Sequence, residues 1–166
     1  MTKEAAIRRI LVGVDGSDGS ARALAWAIAQ ARSLGAEVVA VHAFELPLAS
    51  PMAMGYSIVP DLEAWEQADR RAFELTWCAP LGASGVAHRT VFRSGRAGPV
   101  LLAVAGEVGA DLIVTGRRGL STLVEMVAGS ISQFLVHQAT CPVVVVPGPL
   151  PAARAARAAA AAATHA

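Results

Sequence analysis

The sequence predicts an α/β fold: an open sheet of five mostly parallel strands with helices on both faces. Short apolar runs alternate with segments that have apolar residues at helical spacing, and glycine-rich turns separate them. The last run, residues 143–146, is apolar on consecutive positions, as expected of a strand covered on both faces. Alternating strands and helices connect through right-handed crossovers, which make the strands parallel. In such Rossmann-like sheets, ligands bind at the carboxyl ends of the strands.

The first half of the chain predicts two strands, two helices and one long loop. The strands are residues 10–14 and 37–43, and the helix between them has Ser17 as its N-cap and Gly35 as its left-handed end. Residues 45–60 contain three prolines and predict a surface loop. Residues 61 to about 78 predict a helix with Asp61 as a candidate N-cap. Its expected apolar side consists of Leu62, Trp65, Ala68, Ala72 and Leu75.

The second half predicts three strands, at residues 86–93, 111–115 and 141–146. The helix after the first of them has Pro99 at a plausible first position, and a further helix covers about residues 130–137. We expect one domain over residues 1–148. Residues 149–166 are rich in alanine without a hydrophobic face, so we expect a flexible tail.

Composition narrows the range of functions. The chain has 166 residues and a net charge of +1, with scattered arginines, which argues against nucleic acid as a partner. Two cysteines without metal-binding spacing indicate free, mostly buried thiols and a cytoplasmic location, and no export signal is visible. Residues 126–153 lack charged side chains, but polar residues and prolines interrupt them, so we expect a protein core rather than a membrane span.

The most informative motif follows the fourth predicted strand. It consists of Gly116, Arg117, Arg118 and Gly119, with Gly129 and Ser130 further along at the start of a helix. Glycines allow the backbone to approach an anion closely, and a helix N-terminus offers amides to phosphate. Asp15 follows the first strand and lies at the same edge of the predicted sheet. The motif therefore indicates a nucleotide site.

These segments together resemble the universal stress protein family over residues 7–147. The resemblance rests on residues 12–17 (VGVDGS), residues 39–43 (VAVHA), the G-x2-G-x9-G-S spacing and residues 141–146 (CPVVVV). It implies the adenine nucleotide alpha hydrolase-like variant of the Rossmann-like fold, adenine-nucleotide binding in members with the glycine motif, and homodimers joined through the last strand, Val143–Val146.

The resemblance also implies roles for individual residues. Asp15 approaches the adenosine half of the ligand, and Ala43 lines the adenine pocket through its backbone. Gly116 and Gly119 flank the ribose and phosphate path. The phosphates are held by four residues: Gly129, Ser130, Ile131 through its amide, and Ser132 through its hydroxyl.

Simpler interpretations of these residues stay open. Asp15 can cap the loop before the first helix, and Ser130 can be an N-cap alone. Arg117 and Arg118 either bind phosphate or are solvated. His42 is more typical of a partly buried strand histidine than of a catalyst.

No P-loop lysine motif occurs, so we expect a metal such as Mg²⁺ or Mn²⁺ to be held only through the phosphates. No residue is assigned a catalytic role, because the motif supplies no base or charge stabilisation at the terminal phosphate. The leading hypothesis is an ATP-binding regulatory protein of the stress response with an unknown protein partner. The alternatives are a slow ATPase or phosphotransfer enzyme, and a dimeric interaction module that binds AMP or cyclic AMP.

Overall fold

The computed structural model describes residues 6–45, 61–117 and 130–148. The loop predicted after the second strand, from residue 46 onwards, and the predicted tail at 149–166 lie outside the described residues. In chain order the elements are β1 (Arg9–Gly13), α1 (Asp18–Leu34), β2 (Glu37–Phe44), α2 (Leu62–Ala72), a π-helical turn (Phe73–Trp77), α3 (Ala79–Gly82), β3 (His88–Ser94), α4 (Ala97–Val108), β4 (Leu112–Gly116), α5 (Ser130–Gln138) and β5 (Val143–Val146).

The five strands form one parallel sheet in the order β3-β2-β1-β4-β5. The predicted fold class is therefore confirmed as a Rossmann-like α/β fold. The chain moves outward from β1 in one direction to β3 and then returns to the other side of β1 for β4. This change of direction opens a crevice between the carboxyl ends of β1 and β4, where ligands bind in sheets of this type.

Hydrophobic residues cover both faces of the sheet. On one face, Ile10 and Val12 of β1 pack with α1; on the other, Leu11 packs with α4 and α5. Side chains alternate between faces along a strand, so one short strand supports two cores. Burial on both faces explains why the central strands are continuous apolar runs rather than alternating ones.

Both predicted ends of α1 are confirmed. The Ser17 side chain accepts a hydrogen bond from the Ser20 amide, and Gly35 ends the helix in the left-handed region at φ +64°. Asp61 likewise caps α2 by accepting from the Ala64 amide.

The predicted helix over residues 61–78 is wrong in its second half. A π-helical turn follows α2, and the chain then forms the short α3. The expected apolar side is also wrong along the whole segment: Leu62 is 47%, Trp65 44% and Leu75 74% exposed, whereas Phe73 is fully buried.

Two further boundaries, and the burial of one strand, differ from the predictions. α4 begins at Ala97, so Pro99 is its third residue rather than its first. β5 begins only at Val143, because Pro142 has no amide hydrogen to donate. Its four valines are half-buried rather than covered on both faces, because β5 lies at the edge of the sheet.

Both cysteines are free, as predicted: Cys78 is buried and Cys141 is partly exposed. Burial, with the nearby Glu74 charge as a smaller cause, raises the pKa of the Cys78 thiol to about 11. Burial also raises the pKa of Cys141. Neither thiol is an activated nucleophile at neutral pH. Among the described helices, none combines the length and apolar character needed to cross a membrane.

Candidate functional site

An open cleft lies at the carboxyl edge of the sheet. It is formed by the ends of β1, β2 and β4 and by the first turns of α4 and α5. Seven of the residues predicted for the site line it: Asp15, Ala43, Gly116, Arg117, Ser130, Ile131 and Ser132. The other three, Arg118, Gly119 and Gly129, lie outside the described residues.

Asp15 occupies a tightly bonded turn between β1 and α1. Its Oδ1 accepts hydrogen bonds from the Ser17 amide at 3.0 Å and from the Ser17 hydroxyl at 2.6 Å. The Asp15 amide donates to the Ser20 hydroxyl at 3.2 Å. Asp15 therefore stabilises the loop before α1. This role is compatible with ligand binding, because the residue also lines the cleft.

Ala43 lies near the end of β2, between β1 and β3 in the sheet. Val41, His42 and Ala43 all line the cleft. Ala43 is half-buried and contributes only a methyl group to the wall of the cleft.

Gly116 ends β4 at the point where the sheet meets the first turn of α1. A Cβ atom built on Gly116 would lie 2.5 Å from the Gly19 carbonyl carbon and 2.6 Å from its oxygen. Real Cβ atoms do not approach the backbone so closely. Glycine is required here by contact between strand and helix, which is a different reason from the ligand approach that the motif suggested.

The first turn of α5 supplies hydrogen-bond donors to the cleft. Ser130, Ile131 and Ser132 line it, and the amides of a first helical turn have no partner within the helix. The Ile131 side chain packs against the core, which holds the turn in place. The positive end of the helix dipole and the serine hydroxyls together make an environment suited to an anion.

Arg117 follows β4 directly. Its amide donates to the Val146 carbonyl at 3.0 Å, so the backbone is tied to β5. The residue is exposed and lines the cleft.

Sequence reasoning missed a buried bridge beside the cleft. The ring of His42 is 7% exposed; its Nδ1 lies 2.7 Å from the Val14 carbonyl and its Nε2 lies 2.6 Å from Asp69 Oδ2. The signal was present in part, because Asp69 lies at helical spacing from Trp65 and Phe73. The expected apolar side had a different phase, so Asp69 was not selected.

The family model described as the universal stress protein family matches residues 6–147. A universal stress protein of Bacillus subtilis, YxiE, is 33% identical over 83% of this chain and 97% of its own length. One from Thermus aquaticus is 35% identical over 84% of this chain and 98% of its own length.

Solved structures are similar as well. The protein MJ0577 superposes with a TM-score of 0.72 at 20% identity, over 88% of this chain and 99% of that one. A universal stress protein in complex with cAMP gives 0.58 at 25% identity, over 86% and 98%. An Arabidopsis thaliana family member with AMP bound gives 0.59 at 22% identity, over 87% and 96%. With this sequence match and this sheet order, the chain belongs to the universal stress protein family.

Proposed function

We propose that this protein binds ATP and acts as a nucleotide-dependent regulator in a stress response. The observation that carries the proposal is the cleft itself. It brings together an acidic turn, an open strand end and a helix N-terminus that offers amides and hydroxyls. Its chemistry matches the two halves of a nucleotide, because one end suits a flat polar base and the other suits phosphate.

We propose for the residues of the cleft the division of roles that the family resemblance implies. Asp15 and Ala43 hold the adenosine half, and Gly116 borders the ribose. Ser130, the Ile131 amide and Ser132 hold the phosphates, together with Gly129. Arg117 adds a charge-assisted hydrogen bond to phosphate. Arg118 and Gly119 belong to the same proposed phosphate path.

We further propose that Mg²⁺ or Mn²⁺ accompanies the nucleotide and is held through its phosphates. Hydrolysis is at most slow. Among the described residues that line the cleft, Asp15 carries the single carboxylate, and Ser17 engages one of its oxygens. An efficient ATPase needs a group that orients water at the terminal phosphate, and the proposed orientation places Asp15 at the opposite end of the ligand.

A second candidate is a module that binds AMP or cyclic AMP. The similar structure with cAMP favours it, and so does the likeness in fold to the AMP-bound Arabidopsis protein. These ligands keep the adenosine half and shorten the phosphate chain, so they would use Asp15 and Ala43 and make fewer contacts with α5.

We further propose that the protein is a cytoplasmic homodimer and that a protein partner binds its nucleotide-bound form. Two free cysteines fit a reducing compartment. The dimer would form through β5, an edge strand whose outer backbone groups have no neighbouring strand within the described sheet.

The ligand can be tested on protein purified without added nucleotide. After denaturation, mass spectrometry should identify ATP in the released small molecules, and added ATP should raise the thermal midpoint more than GTP does. Release of AMP or cyclic AMP instead would favour the second candidate. Multiple-turnover phosphate release above that of a Ser130→Ala, Ser132→Ala double variant would favour a slow enzyme.

A further inference from the structure

Both ring nitrogens of His42 have a hydrogen-bond partner, and these partners determine where the ring carries hydrogen. A carbonyl oxygen can only accept, so Nδ1 carries a hydrogen and donates it to Val14. A second proton must lie between Nε2 and Asp69 Oδ2, because two lone pairs at 2.6 Å would repel each other. The ring is thus fixed at both nitrogens.

The surroundings make this bridge strong. Three aromatic rings surround His42, with centroids 5.1 to 5.5 Å away: Phe73, Trp77 and Phe92. In such an apolar environment a hydrogen bond is electrostatically stronger than in water. The Asp69 side chain, 29% exposed, closes the outer side of the bridge.

The bridge ends on one particular peptide group. The Val14 carbonyl and the Asp15 amide belong to the same peptide plane, which His42 holds through the carbonyl and the Ser20 hydroxyl holds through the amide. The orientation of this plane helps to set the position of the Asp15 Cα atom and the direction of its side chain. The Val14 amide is also bound, to the Val41 carbonyl at 2.9 Å.

The π-helical turn fixes the other side of the same loop. Gly16 has φ +78°, and a Cβ atom there would lie 2.6 Å from the indole ring of Trp77. Trp77 also meets His42 edge-on. One helical segment, residues 69–77, therefore supports the ring of His42 through Asp69 and the Asp15 turn through Trp77.

We propose that His42, oriented by Asp69, is a positioning residue for nucleotide binding. It holds the Val14–Asp15 peptide so that Asp15 meets the ligand, and it acts through Asp15 rather than by contact with phosphate. This inference rests on the proposed nucleotide function. Asp69 lies on α2, and this helix has no buried residue of its own. If Asp69 positions His42 for the ligand, nucleotide binding and the packing of α2 on the sheet stabilise each other by linkage.

Two substitutions separate the two ends of the bridge. The amide nitrogen of asparagine stands the same number of bonds from the backbone as Nδ1, and that of glutamine the same number as Nε2. His42→Asn keeps a donor for the Val14 carbonyl, whereas His42→Gln keeps only the contact with Asp69. We expect His42→Asn to bind ATP within about threefold of wild type, and His42→Gln to bind at least about fivefold more weakly, which is roughly the effect of one hydrogen bond.

The chain offers a matched control. His88 Nδ1 contacts the Val86 carbonyl at 2.8 Å, which is the same kind of bond on an exposed residue at the opposite edge of the sheet. His88→Gln should leave ATP affinity unchanged. The thermal midpoint of each unliganded variant, measured in parallel, separates lost stability from lost affinity.

A second pair of variants serves if His42→Gln does not fold. Asp69→Ala removes the group that orients the ring, whereas Asp69→Asn can donate to an unprotonated Nε2. Affinity should fall in the first and recover in the second. Equal ATP affinities within both the His42 pair and the Asp69 pair would overturn the positioning role while leaving the proposed function intact. Absence of ATP binding by the wild-type protein would instead contradict the proposed function, and this inference with it.

Discussion

Gly116 joins the end of β4 to the first turn of α1, and its substitution tests how closely the two elements must approach. Gly116→Ala should lower the free energy of unfolding by roughly 1–3 kcal/mol, because the added methyl meets the Gly19 backbone and a rigid contact must open. Denaturant unfolding measures this change.

Gly106 provides the control for that experiment. It lies inside α4, and a Cβ atom there meets nothing within 4 Å. Gly106→Ala should therefore stabilise the protein by roughly 0.5–1 kcal/mol, since alanine is the better helix former. If both substitutions had the same sign, the contact between Gly116 and Gly19 would not be the cause.

Substitution of Arg117 tests the charge-assisted hydrogen bond to phosphate that we propose for this residue. Arg117→Ala should weaken ATP binding by roughly tenfold, as expected for a hydrogen bond to a charged group, and should leave adenosine binding nearly unchanged. Arg71→Ala removes an equal charge from an exposed position on α2 and is the matched control. Equal losses for ATP and adenosine would contradict a phosphate contact.

At the scale of residues, the sequence predicts the position of side chains that directly follow a strand. Asp15 and Gly116 come after apolar runs, so their place at one edge follows from the parallel sheet. The bridge from His42 to Asp69 could not be predicted, because it depends on how α2 is turned about its axis. That rotation is set by Phe73 and by the wider turn after α2, which no local pattern revealed.

At the scale of elements, Asp111 joins the beginnings of β1 and β4. Its Oδ2 accepts hydrogen bonds from the Arg8 amide at 2.8 Å and the Arg9 amide at 2.9 Å. The Arg8 bond, followed by the Arg9 bond and the nearby arginine charges, lowers the pKa of the Asp111 carboxyl despite partial desolvation.

This carboxylate should make part of the stability dependent on acid pH. The pKa is lower in the folded than in the unfolded chain, so the stabilisation is fully present above the unfolded value, about 3.9, and is lost as pH falls through the folded value. Asp111→Asn should have a shallower loss of stability below about pH 4, measured by denaturant unfolding at a series of pH values. An unchanged slope would contradict the role of Asp111.

Element boundaries show which physical signals are local. Ser17, Gly35 and Asp61 act through hydrogen bonds and backbone angles near themselves, and all three predictions are confirmed. The π-helical turn and the late start of β5 depend on neighbours in space or on pairing along the whole strand. A short window of sequence does not reveal such features.

At the scale of the whole molecule, the sheet order leaves β5 as an edge. The Pro142 carbonyl accepts a hydrogen bond from the Ile113 amide of β4, and the Val146 carbonyl accepts one from the Arg117 amide. Because backbone groups alternate in direction along a strand, the amide and carbonyl of Val145 face the open edge. A second copy of the chain can pair there.

Val145→Pro should therefore convert the proposed dimer to a monomer, because proline removes the outward amide. Light scattering coupled to size exclusion should give twice the 17.0 kDa chain mass for wild type and for Val145→Thr, which keeps the backbone donor. A wild-type mass of one chain at micromolar concentration would contradict the dimer.

The fold class was predictable because alternating strands and helices admit few topologies. The resemblance to the universal stress protein family indicated which of these topologies to expect. Sequence spacing alone does not determine the order of the strands. That order, with β1 at the centre, is what brings Asp15, Ala43 and Ser130 to one cleft although they lie far apart in the chain.

A calorimetric titration of the purified wild-type protein with ATP in the presence of Mg²⁺ tests the proposed nucleotide binding most directly. We predict saturable binding of one nucleotide per chain, with a matching rise in the thermal midpoint as ATP concentration increases. Absence of both heat and stabilisation at millimolar ATP would contradict the assignment of this cleft as a nucleotide site.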